Sequence, residues 1–283
     1  MFSLKIQNAK GELFELSHNH QNYIVTNVDG LTVPQIVNNT ASGGTVDGAF
    51  YNSSRMETRN IVITVQLVGD IEGNRQRLYK MFSLKKPNTI FFKNANRDLK
   101  IVGYVEVIEG DLFVQDESIQ ISIICPRPYW ESAQAISDEL SYTVKKFEFP
   151  FSIENDDPIP ISEYTTSPVI TVINRGDVEC GAVFTVTFSG GCSDFVLYNQ
   201  TTQKHFGVNK LFTNGDILTI DTRAGHLAVY STYATTKTNL LNKITEGSEW
   251  LKLDVGGNDI TFSATRGQNA SIAIEAAELY GGV

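Results

Sequence analysis

The sequence predicts a mainly β protein of two modules: an N-terminal β-sandwich or barrel carrying one helix, followed by a second β-sandwich. Three observations predict it. The chain has 283 residues with 41% hydrophobic and 19% charged, enough for two ordinary cores. Short runs of strict apolar/polar alternation recur along it, separated by Gly, Asn and Asp turns. Only one segment carries a convincing helical period.

Taken in order, the first long strand is NIVITVQLVGD, with Ile61, Ile63, Val65 and Leu67 on one face and Val62, Thr64, Gln66 and Val68 on the other. The helix follows in DIEGNRQRLYKMFSLKKPN, near residues 72–86. Leu78, Met81 and Phe82 share a face, and Pro87 with Asn88 supplies the stop. IQISIICPRPYWES alternates through Ile119, Ile121 and Ile123 until Pro126 and Pro128, which lack an N–H, end the ladder near Cys125. Alternation then lapses, and ENDDPIPISEYTTSP crowds three prolines among acidic residues. This divides the chain into a first domain at 1–135, a connector at 136–165 and a second domain at 166–283. The second domain reads as strands in AVFTVTFSG, GDILTIDT, NDITFSA and ASIAIEAA. The last strand leaves open a return to the first domain.

Charge and cysteine content narrow the function. Residues 1 to 130 hold 13 Lys+Arg and 13 Asp+Glu, and residues 131 to 283 hold 10 and 19, so the whole net charge of −9 falls in the second part. An acidic half repels phosphate, which disfavours sequence-wide nucleic-acid binding. MFSLKIQNAKGELFEL has no secretory pattern, and no apolar run is long enough to span a bilayer, so neither secretion nor membrane insertion is expected. Three cysteines do not make a disulfide framework and fit a reducing compartment, where triplets such as Asn52-Ser-Ser carry no glycan.

Candidate chemistry is thin. Cys125, before a proline and beside only Arg127, reads as a small buried residue rather than a thiolate nucleophile. SHNHQN at 17–22 reads as a polar turn rather than a metal site, and His205 and His226 are isolated. The acids Asp138, Glu139, Glu154, Asp156 and Asp157 fall in the connector, where clustered carboxylates are solvated rather than held as a glycosidase pair. Arg75, Arg77, Lys80, Lys85 and Lys86 form the outer face of the helix, suited to a neighbouring subunit. Trp250, Tyr230 and Tyr233 are the one set that suggests a ligand, as a carbohydrate-facing platform. No catalytic, cofactor or metal residue is assigned, and the sequence reads as non-enzymatic.

The order of the pieces resembles a known family. TASGGTVDGAFYNSSRMETRNIVITVQLVGD, then NRQRLYKMF, then IQISIICPRPYW resemble the N-terminal module of the distal tail proteins of tailed phages. That module has a Gly-rich DG loop, an arginine before a long alternating strand (here Arg59, with Arg55 upstream), a helix and a Pro-aromatic corner. FEFPFSI, VINRGDVECGAVFTVTFSG, LFTNGDILTIDTRAG, WLKLDVGGNDITF and YGGV resemble the family's second, galectin-like β-sandwich, although LDVGGNDI has one extra residue between Leu253 and Gly257.

The resemblance implies a tail-tube-like first module and a siphophage tail-tip or baseplate hub. Six copies would form a ring around a channel for DNA passage, between the tail tube protein and the receptor-binding proteins. It implies residence at the virion tail tip after assembly in the host bacterial cytoplasm. No cofactor, membrane insertion or specific nucleic-acid binding is implied. A second class, a carbohydrate-binding adhesion module, stays beside it. For a ring, the loop Thr40–Arg55 is expected to order only against a neighbour, and removal of the chain from Pro158 onward is expected to leave the ring intact.

Overall fold

The computed structural model describes residues 3–17, 19–44, 47–110, 114, 117–141, 169–264 and 270–283; for 138–141 it describes backbone alone. It forms two compact units, Met1–Gln134 with Leu279–Val283, and Ala135–Glu278. The expected connector lies partly in the second unit, where Ile136–Ser141 is a strand; residues 142–168 lie outside the described residues.

The first unit contains β1 (Ser3–Gln7), β2 (Leu13–Leu16), β3 (Tyr23–Asp29), β4 (Ile36–Ala41), β5 (Phe50–Met56), β6 (Arg59–Leu67), α1 (Ile71–Met81), β7 (Pro87–Lys93), β8 (Asp98–Gly110), β9 (Ser118–Cys125) and β10 (Trp130–Ser132). Its sheet runs β2-β1-β7-β8-β9-β6-β3, antiparallel throughout. The sheet rolls until its two edges meet at one bridge, Ser17 to Ile24. Alternation dictates the core. Ile61, Ile63, Val65 and Leu67 of β6 and Ile119, Ile121 and Ile123 of β9 are all buried.

The helix packs Leu78 and Phe82 into that core. Asp70 caps its first turn by accepting from the Gly73 N–H. It ends at Met81, earlier than the expected 86. Asn88 decides this: its side chain accepts from the Ser83 N–H and donates to the Ser83 and Lys86 carbonyls, folding 83–86 into a turn. Lys85 takes φ +60° there, and Pro87 opens β7 instead of merely stopping the helix.

The second unit contains β11 (Ile136–Ser141), β12 (Ile170–Asn174), β13 (Cys180–Phe188), β14 (Phe195–Asn199), β15 (Lys204–Val208), β16 (Ile217–Asp221), β17 (Ala228–Tyr233), β18 (Thr236–Asn239), β19 (Lys252–Leu253), β20 (Gly256–Ser263) and β21 (Ala270–Ala276). One sheet runs β11-β21-β13-β16-β17-β18 and the other β12-β20-β14-β15. Aromatic packing joins them: Phe188 of β13 lies edge-on to Phe195 of β14 at 5.6 Å and stacks on Phe212 at 4.3 Å.

The turn motifs are buried polar locks. Asn174 bonds the Val178 and Leu253 carbonyls and the Gly176 N–H. Asn258, fully buried, bonds the Asp254 N–H and the Asp254 and Gly256 carbonyls. Thr222 Oγ1 accepts from the Ala182 N–H and donates to the Ala182 carbonyl. Each satisfies backbone groups that a tight turn would otherwise strand away from water.

The chain then crosses back. Its last strand, β22 (Leu279–Tyr280), pairs with β10 of the first unit.

Gly30 shows how tightly the first unit is closed. It sits at φ +82°, and a Cβ there would stand 1.9 Å from the Asn60 carbonyl oxygen, whereas one at Gly11, φ +86°, meets nothing within 4 Å. Gly30→Ala is expected to cost at least about 2 kcal/mol, and Gly11→Ala only about 1 kcal/mol of backbone strain. Parallel urea melts of the two variants check the difference.

Candidate functional site

An arginine stands at the first inward-facing position of β6. Arg59 is 1% exposed. Its Nε donates to the Pro128 carbonyl at 2.8 Å, Nη1 to Gly30 and Thr32 at 2.6 and 2.5 Å, and Nη2 to Gly281 at 2.5 Å. The guanidinium also lies 5.6 Å from the centroid of the fully buried Trp130 ring. Burial lowers its pKa, an effect that Cys125 opposes. Among the described residues no carboxylate accepts from it, and four carbonyl dipoles carry the charge. One side chain thus joins the β3–β4 connection, the Pro-rich corner after β9 and the returning segment.

That anchorage sets the root of an unusual element. β4 and β5 pair only with each other, from Ile36 opposite Met56 to Ala41 opposite Phe50. Of the stretch Thr40–Arg55, Thr40, Ala41 and Phe50–Arg55 lie on these paired strands, whose register shifts between Asn39 and Thr40; residues 45 and 46 lie outside the described residues. Their cross-strand ladder supplies the backbone bonds that a polar loop would leave to water. The hairpin has no core of its own: Ile36, Phe50 and Tyr51 are 49%, 61% and 64% exposed. The Phe50-Tyr51 pair within a Gly-rich polar run was the signal available in the sequence.

A second open surface lies on the same unit. Beyond the Ser17–Ile24 bridge, no strand covers the outer edge of Thr26–Asp29 among the described residues. A bulge at Thr26 bends β3, and beside it opens a groove of about 330 Å³ lined by Val25, Thr26, Asn27, Val28, Leu31 and Phe92. An open edge over an apolar groove is a place for added chain.

The residues marked in the sequence take other places. Cys125 is buried, and desolvation pushes its thiol up to about 12 despite Arg59. Cys180 and Cys192 are pushed by burial to about 11. These are packed thiols rather than nucleophiles. His20 Nδ1 accepts from the Asn22 and Tyr23 N–H groups, capping the turn into β3; His18 lies outside the described residues. His205 packs on Tyr198. Arg75 pairs with Glu72 and with buried Glu117, so it belongs to the fold more than to an outer face.

Among the described residues no His, Cys, Asp and Glu group could hold a metal. Side chains of Asp138 and Glu139, and the whole of Glu154, Asp156 and Asp157, lie outside the described residues. The carbohydrate-facing set takes these places. Tyr230 and Tyr233 sit on β17 of one sheet, and the Lys237 ammonium lies 3.4 Å over the Tyr230 ring. Trp250 packs instead on Phe206 of the other sheet, at 5.0 Å.

The chain matches two family models. Residues 14–125 match the phage tail protein RIFT-related domain, and residues 175–275 the siphovirus-type tail component, C-terminal domain. A search of curated protein sequences finds no match. Among solved structures, the Dit protein (gp 19.1) of phage SPP1, a hub adsorption apparatus protein of phages infecting Gram-positive hosts, is 14% identical with a TM-score of 0.69 over 99% of both chains. A chain of the phage P2 baseplate in its calcium-activated conformation is 12% identical, TM-score 0.52, over 97% of this chain and 98% of that one. The strontium-activated form gives 12% and 0.53 over the same shares.

Two β units in this order define a phage tail component. The two models together take up most of the sequence, and the chain belongs to the siphovirus-type distal tail (Dit) family.

Arg59→Lys keeps the charge but offers one ammonium for four carbonyls; it is expected to destabilise the first unit by about 3 kcal/mol or more. Denaturant titration in a Trp250→Phe background, followed by Trp130 emission, checks it. The three thiols, raised from 9.0 to about 11 or 12, keep their protons in the folded state after the unfolded chain would lose them. Their stabilising contribution is therefore full below pH 9 and declines as pH rises through that window. Cys125→Ala should flatten the fall in stability between about pH 9 and pH 11, as read by urea melts at stepped pH.

Proposed function

We propose that this tail protein is the hub of the tail tip: six copies close into a ring that links the tail tube to the host-recognition apparatus and leaves a central channel for DNA. The observation that carries the reading is the presence of two different assembly surfaces on one unit. The β4–β5 hairpin exposes Ile36, Phe50 and Tyr51 with nothing among the described residues to bury them, and the β3 edge stands open over an apolar groove. A contact between unlike surfaces passes from copy to copy and closes into a ring when the rotation allows.

Family membership supports the rest. The SPP1 relative is a hub protein, and the phage P2 match comes from a baseplate. The tail tube protein binds one side of the ring and the tail-associated or receptor-binding proteins are carried by the second units. The protein is assembled in the host bacterial cytoplasm, works in the virion tail tip, and acts as a scaffold without enzymatic activity. Packed thiols with raised pKa values fit that role.

Mass measurement in solution with negative-stain imaging tests the reading, and six-fold rings, single or stacked in pairs, are expected. Phe50→Ser with Tyr51→Ser should leave a folded monomer with an unchanged melting temperature, because neither side chain enters the core. A ring that survives that double substitution would remove the hairpin from the contact. A monomer at every concentration would remove the ring.

A further inference from the structure

The chain leaves the first unit after Gln134 and comes back at Leu279. The returning residues complete that unit. Tyr280 pairs with Trp130 and Leu279 with Glu131. Gly281 and Gly282 offer carbonyls to Arg59 and Arg97, each at 2.5 Å. The Arg97 guanidinium lies 4.5 Å from the Tyr280 ring centroid, the Val283 N–H donates to Leu31 at 3.3 Å, and Tyr280 and Val283 pack on the core. Before these residues arrive, β10 has one edge unpaired, and the buried Arg59 charge lacks one of its four acceptors.

The second unit is built so that its own folding supplies the missing piece. Its first strand, β11, pairs with its last, β21, from Ile136 opposite Ala276 to Ser141 opposite Ser271. Exit and return therefore run on neighbouring strands once that unit is formed. If the second unit is unfolded, docking of Leu279–Val283 must close a loop running from Glu131 to Leu279, and the entropy cost of closure grows with the logarithm of loop length. With it folded, the loop is reduced to the few residues between the last pair of one ladder and the first pair of the other.

We infer that Leu279–Val283 is a strap that locks the first unit, and that folding of the second unit delivers it. The first unit is closed last although it is made first. Truncation from Pro158 onward, which the sequence suggested would leave a ring intact, removes the strap with the second unit. Incomplete chains are thus barred from a finished first unit, whatever assembly that unit enters.

The chain has two tryptophans, Trp130 in the first unit and Trp250 in the second. Refolding of full-length Trp250→Phe and Trp130→Phe, each followed by its remaining tryptophan, orders the two events. Trp130 emission is expected to become native only after Trp250 emission has; Trp130 reaching native emission while Trp250 is still unfolded would overturn the inference. As a second measurement, a chain stopped after Glu278 should melt in its first unit at least about 10 °C lower, and excess peptide LYGGV should restore the lost transition in a saturable way. An unchanged melt without the strap, or a lowered one that the peptide does not raise, would refute it.

Discussion

The first unit depends on one buried cation. Among the described residues no carboxylate neutralises Arg59, and burying a charge is tolerable only when its donors find partners. Its donors find carbonyls from three separate parts of the chain: the connection leading to the hairpin, the corner after β9, and the returning segment. A hydrophobic residue could fill the same volume but would leave those carbonyls unsatisfied. The fork geometry of the guanidinium gathers them at one point, with Trp130 covering its face.

What the arginine organises is the part of the unit that remains unsatisfied. The carbonyls of Gly30 and Thr32 are held, and Glu57 N–H to Gln35 O closes the root of the hairpin. The hairpin is thereby fixed at its base while its apolar side chains stay in water. The rolled sheet is likewise closed at a single bridge and open along the rest of β3. A stable core next to surfaces that lack partners is the combination a scaffold protein needs, since an exposed edge and an exposed aromatic pair gain most from association.

The second unit is held by other means. Its turns are tied by Asn174, Asn199, Asn258 and Thr222, and its sheets by stacked phenylalanines. Burial alone would raise the Asp216 carboxyl, but hydrogen bonds from Thr213 and the Lys210 ammonium hold it below its ordinary value. Burial would raise Asp221 as well, and Arg223 brings it down. These acids hold turns together.

The sequence by itself determined the local structure. Alternation in NIVITVQL and IQISIIC specified β6 and β9 and which of their residues are buried, because a strand's side-chain period is two whatever surrounds it. The prolines after Cys125 fixed where β9 stops. The turn motifs and the arginine before β6 were enough to show the family resemblance, since each is a short-range device. Tertiary structure decided everything that depends on distant residues meeting. The β4–β5 pairing was concealed by polar composition. The helix stopped at Met81 because of an asparagine seven residues on. The partners of Arg59 were least legible: Gly281 is 222 positions away, and no local pattern records that a backbone carbonyl will accept from a particular side chain. Such contacts carry no residue signature, so only the folded chain reveals them.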